Sequence, residues 1–181
     1  MFYFTTRDIT AIAMCAALWG VLSAYFTPVF WTATHLPFFC DMTGIILIIL
    51  VMWWVRKSGA ITMTGIIATI ITLMLNPNAT HFFGFAAASI VFDILTRLLG
   101  NQNSPERSVL KLISVFLTSL ASTAVAGVII GYVFTSTNSL MTMFGGIAFF
   151  VLLHVAGGAI GGTVGLVLIK ALSTRISLQR M

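Results

Sequence analysis

Ionisable side chains are scarce in this chain, so those that interrupt its apolar stretches are the first places to look for chemistry. His35, His81 and His154 and the acid Asp41 map toward one end of the apolar runs, while Asp93 maps toward the other. Imidazole and carboxylate together suit nickel, cobalt or zinc. No HxH or HExxH spacing is present, however, and the intervening residues are strongly aromatic, so no metal site is expected. A hydrolase would need a Ser and His pair or paired acids. Asp41 and Asp93 lie at opposite ends of their helices and cannot act together, so no catalytic residue and no cofactor is assigned. Binding fits these residues better. Trp31, Phe38, Phe39, Phe82, Phe83, Tyr132 and Asn138 share the side that carries the histidines, with Asn76 close by in sequence. Stacking faces with scattered hydrogen-bonding groups describe a pocket for a flat heteroaromatic molecule. An aromatic girdle at a membrane surface has the same composition, and that reading stands beside the pocket. Asp41 either caps its helix or pairs with a substrate amine or aminopyrimidine. Asp93, one turn before Arg97, is read mainly as a structural or docking residue able to snorkel to the interface.

The elements that must position these residues are set by charge and hydropathy. All nine Lys and Arg residues fall on one side of a membrane drawn through the apolar runs: Arg7 before the first, Arg56 and Lys57 between the second and third, Arg97, Arg107 and Lys111 around the link from fourth to fifth, and Lys170, Arg175 and Arg180 at the end. The links at residues 28 to 40, 76 to 81 and 135 to 141 contain none. Basic residues stay on the cytoplasmic side, so the expected fold is an all-α membrane protein, a bundle of six transmembrane helices with both termini cytoplasmic. Spans are expected at about 8–27, 39–55, 59–75, 81–99, 109–134 and 142–172, each close to the ~20 residues that a hydrocarbon core requires. The first is expected to remain as a span and not to be cleaved as a signal peptide. The outer link from Pro28 to Pro37, rich in aromatics, is expected either to fold over the outer mouth as a lid or to anchor in head groups as a belt.

Composition points the same way. With 59% apolar and 7% charged residues and a mean hydropathy of +1.09, a chain of 181 residues has too little polar surface to clothe a soluble globule. It is read as a single integral membrane domain in the lipid bilayer. The net charge of +5 is dispersed at helix ends without a basic, aromatic-lined groove, so nucleic acid is not an expected partner. Cys15 and Cys40 are read as reduced packing residues. Small residues recur at four-residue spacing in the first helix, pairing Ala13 with Ala17, Ala16 with Gly20 and Gly20 with Ala24. Such stripes let helices approach closely in lipid, for packing within the bundle or for docking a partner. Gly157, Gly158, Gly161, Gly162 and Gly165 make the last helix a narrow wall suited to packing inside the bundle, and Gly127 and Gly131 are read likewise.

Several of these motifs resemble one known family. The opening Thr5-Thr6-Arg7-Asp8-Ile9, followed by Ala11 to Leu18, the six short helices, and the ending from His154 to Gly165 with Lys170 resemble the substrate-binding S components of energy-coupling factor (ECF) transporters, over nearly the whole chain. The segments Arg56 to Ala60, Ile67-Ala68 and Leu75-Asn76-Pro77 look similar to the branch associated with hydroxymethylpyrimidine and other thiamine precursors. Thr64, Gly65 and Thr69 stand where that branch often has an acidic residue. The resemblance implies a non-enzymatic subunit of the plasma membrane of a prokaryote that binds a small vitamin or precursor in its outer half. It implies as partners a transmembrane coupling subunit and two ATPase subunits, with Ala13 and Ala17 matching the docking motif. Trp31, His35, Asp41, Asn76, His81, Tyr132, Asn138 and His154 are the expected substrate-binding residues. A non-catalytic accessory subunit of a larger membrane enzyme, and an S component for a transition metal, are the other readings.

Overall fold

The computed structural model describes residues 3–101 and 108–178, the side chains of 176–178 excepted. Among the described residues the regular structure is all helical: α1 (Thr6–Thr34), α2 (Phe38–Val55), α3 (Ala60–Leu75), α4 (Phe82–Leu98), α5 (Val109–Ile129, continued by a π-helical turn over Ile130–Phe134), α6 (Thr137–Phe144) and α7 (Ile147–Leu178). Four segments are long and apolar enough to cross a membrane: Thr6–Thr34, Phe38–Val55, Val109–Phe134 and Ile147–Arg175. The apolar α3 has 16 residues and the more polar α4 has 17, so both are shorter than those four. At the helical rise they reach about 25 Å, somewhat less than a hydrocarbon core of about 30 Å.

Side-chain chemistry explains where the chain turns. A capping box starts α1: the Thr5 hydroxyl accepts from the Asp8 amide at 3.3 Å and the Asp8 carboxylate accepts from the Thr5 amide at 2.8 Å. Asp8 also meets Lys57 Nζ at 2.6 Å, which ties the start of α1 to the end of α2. His35 ends α1 in the left-handed conformation at φ 56°, and Arg56 ends α2 in the same way at φ 54°. Two expected outer connectors are corrected. The segment from Pro28 to Pro37 is not a loop, because α1 runs through Pro28 and stops only at Thr34. Proline removes one amide from the helical ladder, but neighbouring contacts hold such an interruption inside a membrane helix. Phe30 is held this way, stacked on Phe39 at 5.1 Å and edge-on to Phe38 at 5.2 Å. The link at 135–141 is largely α6, capped by the Ser136 hydroxyl and ended by Gly145 and Gly146 at φ 65° and 129°. The last long helix therefore begins at Ile147, not at about 142. Helical propensity at Thr137–Phe144 was hidden by its polar first turn.

Six helices pack in a ring in the order α1, α2, α7, α5, α4, α3, which closes on α1, and α2 also meets α3. Glycines bring α7 against two neighbours at once. A Cβ on Gly157 would lie 2.6 Å from the Phe38 carbonyl and one on Gly161 2.6 Å from that of Met42, so this stripe faces α2. Gly158 and Gly162 abut Thr123 and Ser119 of α5. The first helix is divided by face: Ala16, Gly20 and Ala24 are buried, with the Thr72 hydroxyl of α3 donating to the Gly20 carbonyl at 3.3 Å, whereas Ala13 and Ala17 are exposed. Buried hydroxyls on α3, α4 and α5 are mostly satisfied within their own helices, Thr64, Ser89 and Ser119 each donating to the carbonyl one turn back at 2.8–2.9 Å.

Candidate functional site

The end of the bundle opposite the Asp8–Lys57 contact contains a cavity of about 500 Å³. Helix α1 supplies Ser23, Thr27 and Trp31, α2 supplies Cys40, and the α3–α4 link supplies Asn76, Ala79 and His81. Phe85 of α4, Ile130 and Phe134 of the π turn, Ser139, Met143 and Phe144 of α6, and Phe150 and His154 of α7 complete the wall. Trp31 lies 6.2 Å from Phe144, which meets Phe150 at 5.0 Å, and Phe150 stands edge-on to His154 at 4.8 Å. Phe85 lies between the two lining histidines, 6.5 Å from His81 and 6.1 Å from His154. A volume of this size with aromatic walls and a few polar atoms has the character of a small-molecule site.

Beneath the cavity is the most unusual pair in the molecule. His154 Nδ1 lies 2.7 Å from Asp41 Oδ2, and each side chain is at most 2% exposed. The two meet as a close acid–imidazole contact, and His154 Nε2 and the second oxygen, Asp41 Oδ1, have no hydrogen-bond partner among the described residues. Asp41 does not line the large cavity. It borders a separate space of about 10 Å³, the size of one water, with Trp19, Ser89, Ser122 and Thr123. Trp19 Nε1 is also buried without a partner. The Asp41–His154 pair thus stands between an open aromatic cavity and a small, mostly apolar void. On the cavity side, Ser23 Oγ is another buried, unpartnered polar atom.

The eight residues expected to bind substrate separate into three groups. Trp31, Asn76, His81 and His154 converge on the cavity. Asp41 lies behind His154 and reaches the cavity only through it. His35, Tyr132 and Asn138 are exposed and do not line it: His35 is the residue that ends α1, and Tyr132 is 72% exposed on the outside of the π turn. Asp41 does not cap α2, whose N-cap is Pro37, but sits on the buried face of its first turn. Sequence reasoning missed Ser23, Phe85, Phe144 and Phe150. Ser23 is one residue before Ala24 on the packing face of α1, and its position as the polar member of an otherwise small and apolar face was the available signal. Phe85 and Phe150 lie one turn from His81 and His154 respectively, so helical spacing could have found them.

Other expected features have plain structural positions. Asp93 Oδ2 accepts from the Gly59 amide at 2.8 Å, the Thr62 amide at 3.2 Å and the Thr62 hydroxyl at 2.8 Å, so it caps α3 from α4. Gly65 abuts Ser89 and Thr69 donates to the Gly65 carbonyl, so the region without the branch's acid is helix packing. Cys15 and Cys40 are free thiols, and Cys40 Sγ contacts the Thr27 hydroxyl at 3.2 Å. Among the described residues there is no cluster of three or more His, Cys, Asp or Glu able to hold a metal ion. No family model, curated protein or solved structure matches the chain.

Proposed function

We propose that this chain is the solute-binding membrane subunit of an ECF-type importer, and that it takes a small, flat vitamin or vitamin precursor into the cavity between α1, α6 and α7. The observation that carries this reading is the cavity of about 500 Å³ with two buried, unpartnered polar atoms, Ser23 Oγ and His154 Nε2, set among aromatic rings. Buried polar atoms without partners are costly, and a bound solute would supply the missing hydrogen bonds. An accessory subunit that binds no solute would have no need of such a cavity, since its aromatic residues would serve as lipid belts.

Six spans with cytoplasmic termini complete the proposal. α3 and α4 cross where the bilayer thins locally, which a short helix can impose at modest cost. The division of α1 supports partner docking: Ala16, Gly20 and Ala24 are used inside the bundle, while Ala13 and Ala17 remain exposed beside Met14 and Leu18. That face is open to a transmembrane coupling subunit carrying two ATPases, which would supply the energy this chain does not generate. The branch resembled by its motifs makes thiamine precursors the first candidates.

Titration of the purified protein with thiamine precursors, other vitamins and divalent metals, followed by tryptophan fluorescence, tests the reading. Saturable quenching by one organic compound, lost in Trp31→Ala, is expected. A flat response from folded protein across the panel would transfer the assignment to an accessory subunit, and a response to metal alone would redirect it to metal uptake.

A further inference from the structure

The Asp41–His154 pair sets the hydrogen-bonding sense of the cavity floor. Resting on the cavity as a solute site, we infer that His154 Nε2 carries a hydrogen and donates it into the cavity, so that the site takes a heteroaromatic solute presenting a ring nitrogen or carbonyl oxygen, not an amine, toward α7.

Proton bookkeeping carries the inference. The titratable groups around the pair are Asp41 and Cys40 on α2, His154 on α7 and His81 on the α3–α4 link; α1, α4 and α5 contribute only hydroxyls, rings and aliphatic groups. No Lys or Arg lines either space among the described residues. A carboxylate beside a neutral imidazole would leave one uncompensated negative charge in a bilayer-buried site, which is expensive. One proton added to the pair makes it neutral overall. That proton can reside on the ring, giving imidazolium against carboxylate. It can instead reside on Asp41, giving a carboxylic acid that donates to Nδ1, in which case the neutral ring must carry its own hydrogen on Nε2. The two forms differ in how Asp41 and His154 share charge, yet both place hydrogen on Nε2. The remaining neutral arrangement, an acid O–H on Oδ1 with Nδ1–H donating to Oδ2, would bury an O–H donor without an acceptor, because Oδ1 has no partner among the described residues.

Geometry directs that hydrogen. Nδ1 is taken by Asp41 at 2.7 Å, and Nε2, across the ring, is buried and unpartnered on a residue that lines the large cavity. Phe85 and Phe150 flank the imidazole at 6.1 and 4.8 Å and give it no acceptor of comparable strength. Asp41 is accordingly a positioning residue: it borders the small void, not the cavity, and acts on a solute only through His154.

The test reads the proton directly. Protein labelled with nitrogen-15 histidine is placed in lipid nanodiscs without solute, and the His154 signals are assigned by their loss in His154→Gln. Nε2 is expected to show a directly bonded hydrogen at neutral pH in the unaltered protein. An Nε2 without hydrogen in the unaltered protein would overturn the inference. A second arm compares binding of matched heterocycles with and without a ring acceptor. Loss of the acceptor is expected to weaken binding by at least ~10-fold in the unaltered protein and by little in His154→Phe, in line with the worth of a hydrogen bond to a charged or strongly polarised group. Equal binding of the two would overturn the proposed recognition. A panel that binds nowhere while Nε2 is protonated would refute the solute-site reading and still support the proton's position.

Discussion

Asp41 and Asp93 are both acids buried on apolar helices, at 1% and 4% exposure, but their surroundings are opposites. Asp93 receives two backbone amides and a hydroxyl from the start of α3. Asp41 has one titratable partner, His154, and an oxygen without a partner among the described residues. An acid that accepts several hydrogen bonds from its own fold is part of the scaffold, because its oxygen is already used to hold the start of a neighbouring helix in place. An acid that leaves a histidine half-satisfied beside a cavity is poised toward something the fold does not itself contain.

The largest expected effects come from breaking the scaffold side of this contrast. Asp93→Ala removes three hydrogen bonds and leaves partly buried amides at the start of α3 unpaired, and should lower stability by about 3 kcal/mol. Denaturation in detergent would measure this, and solute affinity in the surviving folded fraction should be close to normal. Gly158→Ala would push a methyl group into Thr123 at the α5–α7 contact and should destabilise by about 1–3 kcal/mol in the same assay. On the other side, Asp41→Asn keeps the volume and removes the titratable acid from a pair that is neutral overall, so stability should change by less than about 1.5 kcal/mol while solute affinity falls clearly. If Asp41→Asn instead unfolds the protein as severely as Asp93→Ala, the contrast between scaffold acid and site acid is wrong. Ser23→Ala removes a buried hydroxyl that has no partner, so stability should stay within about 0.5 kcal/mol or rise, and solute affinity should drop a few-fold. The smallest effect on the isolated protein should come from Ala13→Leu with Ala17→Leu, on an exposed face. Stability and solute binding should be unchanged, and co-purification with a coupling subunit should be lost.

Much of the fold was legible because hydropathy and charge act locally. α2, α3, α4, and α5 together with its π turn, begin and end within one or two residues of the expected spans, helped by polar or basic stops such as Arg56 and Asn76. Pro28 misled because its cost to a helix is set by what packs nearby, here Phe30 against Phe38 and Phe39, and no local rule contains that information. The short α6 was missed because its polar start resembles a turn until the Ser136 cap is seen. The site was legible only in outline. Trp31, His81 and His154 were identifiable as aromatic or ionisable residues near one end, but the same criteria admitted Tyr132 and Asn138, whose helical faces turn outward.

Residue types and their order along the chain were enough to determine an all-helical chain with helices long and apolar enough to cross a membrane, and the few residues able to do chemistry. These depend on the transfer of side chains into lipid and on backbone hydrogen bonding, which are properties of short segments. The pairing of Asp41 with His154, the capping of α3 by Asp93 and the division of the alanines of α1 into inner and outer sets were decided only by tertiary packing. Each depends on the rotation of one helix against another, set by which small residues allow α7 to approach α2 and α5, and no single segment carries that angle.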